Sequence, residues 1–85
     1  MEWTKTIERE DIGALIECDH GIPEPYKLSI IDKAGTKMAG YLDCTVEGSR
    51  PGWLLLKLRK ESPNVVTAEP PIVITIKKIG TDADE

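Results

Sequence analysis

Cys18, Asp19 and His20 set a thiol, a carboxylate and the chain's single imidazole on consecutive positions, and Cys44 supplies the one other thiol. Thiolates and imidazole nitrogens are zinc ligands, and a thiol beside a histidine is the pairing used in nucleophilic catalysis. A structural zinc asks for about four ligands. Only Cys18, His20 and Cys44 could converge, because along an extended segment Asp19 points away from its neighbours. Strand parity also groups Cys18 with Ile12, Ala14 and Ile16, and Cys44 with Leu42 and Val46. Both thiols are therefore expected in the core as reduced small hydrophobes, free of metal and of disulfide. The same parity argues against a catalytic Cys18–His20 pair, since a reactive thiolate must be exposed.

Glu8, Glu10 and Asp11 form a carboxylate cluster suited in principle to acid–base chemistry or a hard cation. No second ligand group is placed beside it, so a solvated turn is the expectation. One histidine excludes most triads, and no serine sits in a G-x-S-x-G elbow. The glycines and lysine of AGTKMAG lead into a strand, whereas a phosphate-binding loop opens a helix. The residues point to no enzyme, no cofactor and no metal.

A surface remains. Alternation through WLLLKLRK places Trp53, Leu55, Lys57 and Arg59 on one side and Leu54, Leu56 and Leu58 on the other. Pairing Glu47 with Trp53 across the GSRPG loop sets Val46 on Leu54, Cys44 on Leu56, Asp43 beside Lys57 and Tyr41 beside Arg59. This register satisfies apolar burial, an ion pair and a cation–π contact together. Tyr41, Trp53, Leu55, Lys57 and Arg59, with Ile31 on the neighbouring strand, then form a candidate binding face. Trp, Tyr and Arg anchor interface hot spots, and aromatics beside bases also suit nucleic-acid stacking. The alternative is that the terminal strands fold over this face and make it a second layer of core.

The elements that position these residues are strands. Period-2 alternation dominates and no long stretch keeps the helical period. IVITIKKI sets Ile72, Ile74 and Ile76 on one face; YKLSIID does the same with Tyr26, Leu28 and Ile30. In DKAGT, pairing Asp32 with Thr36 and giving Gly35 a positive φ closes a hairpin that brings Ile30 opposite Met38. WTKTI and IGALIEC are candidate strands, and HGIPEP is a loop under whose rim Ile22 tucks. The prolines of ESPNVVTAEPP make a crossing loop with at most a short edge strand at Val65 and Val66. It is long enough for the final strand to pair away from its sequence neighbour.

With 40% hydrophobic and 31% charged residues in 85, the chain has the composition of one small globular domain. Residues 1–79 are read as a single antiparallel β domain and 80–85 as a flexible acidic tail. The net charge of −4 is segregated. Residues 1–25 and 61–85 are acidic, while residues 26–60 hold seven bases against three acids. The start lacks an apolar leader and no run is long enough to cross a bilayer, which predicts a cytoplasmic protein with no membrane contact.

The expected fold is all-β: a small antiparallel barrel or sandwich of five to seven short strands around a meander from Tyr26 to Lys60. The expected function is non-catalytic, a protein-binding or assembly module such as an accessory subunit, a phage-type structural protein or an inhibitor of a larger machine. Its partner would be another protein or a second copy. The second expectation is a nucleic-acid-binding β-barrel using the basic, aromatic face, against which the net acidity counts. A small metal-dependent enzyme comes third.

Overall fold

Ile72, Ile74 and Ile76 alternate with Val73, Thr75 and Lys77, and a β-branched run of this kind favours a strand with one face in a core. In the computed structural model, which describes residues 1–37 and 43–79, this segment is β6 (Ile72–Lys78), and its three isoleucines are fully buried. β1 (Glu2–Ile7) and β3 (Tyr26–Ile31) flank it, both antiparallel, in the order β1-β6-β3. Ile7 faces Ile72, while Ile30 faces Ile74 and Leu28 faces Ile76, so the apolar side chains gather on one face.

A second three-stranded antiparallel sheet has the order β2-β5-β4, from β2 (Leu15–Cys18), β4 (Cys44–Arg50) and β5 (Trp53–Leu58). Ile16 pairs with Leu56, Cys18 with Leu54 and Cys44 with Leu58, and all six are buried. These residues and the isoleucines of the first sheet form one core, completed by Ile22, Val65 and Ala68. Each fully buried Leu or Ile contributes roughly 1.5–3 kcal/mol relative to exposure. Ser62-Pro63 starts α1 (Pro63–Val66), a single turn with proline in its first turn, where the missing N–H has no intrahelical acceptor to lose.

Loop contacts fix how the sheets are joined. The buried Asp32 carboxylate accepts the Thr36 amide at 2.7 Å and the Glu69 amide at 3.0 Å, tying the turn after β3 to the approach to β6. The Glu69 amide does most to hold this carboxyl below its ordinary pKa; burial opposes it and the Thr36 amide adds to it. Arg9, in a 3-10 turn over Arg9–Asp11, donates to the Ala68 carbonyl at 2.8 Å. Among the described residues no helix is long and apolar enough to cross a membrane.

The alternation, the inward faces of β3, β5 and β6, and the Asp32–Thr36 turn with Gly35 at φ +86° match the sequence reading. Several expectations need correction. The described strands make two sheets and not a closed barrel, and the expected Tyr26–Lys60 meander is divided, with β3 in one sheet and β4–β5 in the other. Met38, and with it the pairing of Ile30 on Met38, lies outside the described residues, as does the acidic tail 80–85. Val65 and Val66 belong to α1 and not to an edge strand, because Ser62-Pro63 opens a helical turn. Ala14 precedes β2 and is exposed, so it leaves the inward set, whereas Ile12 packs against the core with Ile16 and Cys18.

The β4–β5 register also differs. A two-residue Pro51-Gly52 turn pairs Arg50 with Trp53, Gly52 taking the positive φ of +77° that the third position of a type II turn requires. A bulge between Val46 and Gly48 then sets Val46 on Leu56 and Cys44 on Leu58, two residues from the expected pairing. Thr45, not Asp43, faces Lys57, and Asp43 is 1% exposed.

Candidate functional site

β5 is the central strand of its sheet, so its odd-numbered residues line the middle of the sheet's outer face. The terminal strands do not cover that face; Leu15 on it is 62% exposed. Trp53 lies across all three strands. Its Nε1–H donates to Glu17 Oε2 on β2 at 2.8 Å, and the Arg50 guanidinium carbon on β4 stands 4.2 Å from the ring centroid. The benzo edge lies on Gly48, where an added Cβ would come within 3.2 Å of Trp53 Cζ3. The glycine is thus what lets the indole lie down, and the ring is half-buried without being enclosed. Cation–π stacking of this exposed kind contributes about 0.5–1 kcal/mol.

Leu55, half-buried, sits between Glu17 and Gly48, and the exposed Lys57 between Leu15 and Thr45. Beyond the strand, Arg59 anchors its backbone N–H on the Asp43 carbonyl at 2.8 Å. Its side chain joins Lys57, Lys60, Thr45, Glu47, Glu61 and Gly13 around a cleft of about 330 Å³. Thr45 Oγ1 donates to Glu47 Oε2 at 2.6 Å.

Of the residues expected on this face, Trp53, Leu55 and Lys57 share it and Arg59 lies at its end; Tyr41 is outside the described residues. Ile31 belongs to β3 in the other sheet. Sequence reasoning missed Glu17, Gly48, Arg50 and Lys60. Pro51-Gly52 was the available signal for the Arg50–Trp53 pair, since a type II turn places its flanking residues opposite each other.

The Cys18–His20 segment is built differently. Both thiols are fully buried, and burial pushes Cys18 up to about 11 and raises Cys44, which disfavours the nucleophilic thiolate. They pair with Leu54 and Leu58 on opposite sides of β5, four residues apart at roughly 3.3 Å each. A disulfide needs Cα atoms within about 7 Å. Among the described residues no three His, Cys, Asp or Glu side chains group to hold a metal. His20 Nδ1 accepts the Ile22 amide at 3.0 Å, and the ring stands edge-on to Tyr26 and Trp3, with Nε2 buried and without a partner among the described residues.

Two carboxylate groupings are structural. Glu8 donates its amide to Asp11 Oδ2 at 3.0 Å, capping the 3-10 turn. Asp43 accepts the Ser62 hydroxyl and the Asn64 amide, joining the start of β4 to α1. Compared with known protein families, with curated proteins and with solved structures, the chain matches none.

Proposed function

We propose that the protein is a non-catalytic binding module, a small stacked pair of sheets that engages a protein partner through the outer face of β2-β5-β4. Accessory subunits, phage-type structural proteins and inhibitors of larger machines all act by docking of this kind. The observation that supports the reading is Trp53, an indole fixed by Glu17, Arg50 and Gly48 yet open to solvent beside Leu15 and Leu55. Hot spots concentrate in Trp, Tyr and Arg, and a side chain already held in place loses little freedom on docking. The same geometry weighs against base stacking, because Arg50 covers one face of the ring and a base would have to displace it.

Trp53→Ala and Arg59→Glu test the proposal. Each should abolish capture of a partner identified with the unaltered chain; Arg59→Glu should leave the melting temperature nearly unchanged, and Trp53→Ala should lower it by only about 4–8 °C, the shift that about 1 kcal/mol makes in a domain of this size. A truncated hot-spot residue costs about 2 kcal/mol or more, roughly thirtyfold in affinity. Undiminished capture by a folded Trp53→Ala variant would refute the reading.

A further inference from the structure

Two depressions meet at the Lys60 side chain. One is the cleft of about 330 Å³, lined by the three cations of Lys57, Arg59 and Lys60 and the two carboxylates of Glu47 and Glu61. The other, of about 200 Å³, is lined by Ile12, Val65 and Val66, with Arg9 and Lys60 at its rim. The stem of Lys60 is the wall between them, packed so closely on Gly13 that a Cβ there would lie 2.8 Å from Lys60 Cδ.

The charges of the cleft are unevenly satisfied. Glu47 already accepts the Thr45 hydroxyl, whereas among the described residues no ion pair engages Lys57 or Lys60. Glu47 and Glu61 keep their charges beside the three cations, so the cleft's lining carries one excess positive charge, in a chain of net charge −4, at the end of the proposed docking face. The second depression offers the complementary chemistry: Val66 is 58% exposed and Val65 and Ile12 close its floor, giving room for one aliphatic side chain.

We infer that this pair of depressions receives an acidic, aliphatic segment of the protein partner, its carboxylates against Lys57, Arg59 and Lys60 and a leucine- or valine-sized side chain on Ile12 and Val66. The inference rests on the docking face of β2-β5-β4 proposed above. Charge complementarity selects the carboxylates, and the shared Lys60 wall means that neighbouring residues of one extended segment reach both depressions. A nucleic acid would match the cations alone, since phosphate and ribose offer nothing aliphatic to the second depression.

The test is a titration of the ¹⁵N-labelled chain with three probes: an acetylated peptide alternating glutamate and leucine, the same peptide with glutamine for glutamate, and a short oligothymidylate. The glutamate peptide should shift the amides of Gly13, Thr45, Lys57, Lys60 and Val66, and the shifts should weaken with salt. Lys60→Glu and, independently, Lys57→Glu should each lower its affinity by about tenfold or more, equivalent to about 1.4 kcal/mol. Equal binding of the glutamine peptide, stronger binding of the oligothymidylate at the same amides, or no shift around Lys60 at millimolar peptide would each overturn the inference. Shifts limited to Trp53 and Leu55 would overturn it while leaving the docking face standing. Shifts around Lys60 combined with partner capture indifferent to Trp53→Ala would overturn the docking face instead.

Discussion

The two sheets share one core and differ in what they turn outward. On the outer face of β1-β6-β3 the rows run Thr6–Val73–Ile31, Thr4–Thr75–Ser29 and Glu2–Lys77–Lys27: one β-branched row with two apolar members, one row of hydroxyls and one of mixed charge. On the outer face of β2-β5-β4 the corresponding rows hold Trp53 with Arg50, Leu55 with Glu17 and Gly48, and Lys57 with Leu15 and Thr45. The first face keeps its large apolar groups, Val73 and Ile31, to one end row and carries no aromatic side chain. The indole of Trp53 and the 62% exposed Leu15 have no counterpart there, and their place on one sheet only is what supports a docking role.

The largest effects should fall where the sheets are alike. Leu56→Ala in β5 and Ile74→Ala in β6 each remove a fully buried side chain, and each should lower unfolding free energy by about 2–5 kcal/mol in urea titrations. A Leu56→Ala variant of near-native stability would mean that the second sheet contributes little to the core. Gly48→Val breaks the asymmetry itself. It should lift the indole from its bed, seen as red-shifted emission in a Trp3→Phe background, with roughly 1 kcal/mol lost to strand strain and the lost cation–π contact. Unchanged emission would show that Gly48 does not seat the ring. Smaller still, Thr75→Ala on the other outer face should alter stability by no more than about 0.5 kcal/mol and partner binding not at all.

Titration sharpens the comparison from inside. Cys18 ionises at about 11 in the folded chain against 9.0 ordinarily, so the unfolded chain loses this proton first. Its contribution to stability is full below pH 9.0, falls as pH rises towards 11, and should vanish in Cys18→Ala. Asp32 has the opposite sign: its lowered pKa stabilises the fold at neutral pH and is lost as acid protonates the carboxylate, so Asp32→Asn should flatten the acid limb of the stability curve. Stability curves of the two variants that track the unaltered chain at both extremes would contradict these assignments.

Much of this was legible in the sequence, and its gaps have physical causes. Alternation identified the inward faces of β3, β5 and β6 because burial imposes a period of two. A two-residue slip keeps every side chain on its own face, so the pattern could not choose between Val46 on Leu54 and Val46 on Leu56. Turn chemistry at Pro51-Gly52 and an unsignalled bulge at Glu47 made that choice. Asp43 was read as a surface acid because its hydroxyl and amide partners, Ser62 and Asn64, stand about twenty residues away and local pattern carries no trace of them. Trp53, Leu55 and Lys57 were placed correctly on one face despite the wrong partner strand register, since parity alone decides that.

The central position of β5 bears on how any docking would proceed. Its backbone is hydrogen-bonded on both sides, so its amides should exchange with solvent only when the sheet opens as a whole. A surface mounted on such a strand is already in its bound shape, and little conformational entropy is left to lose at the encounter. Association would then be governed by desolvation and charge, close to rigid-body in character, and slow only where water must be expelled from around the indole.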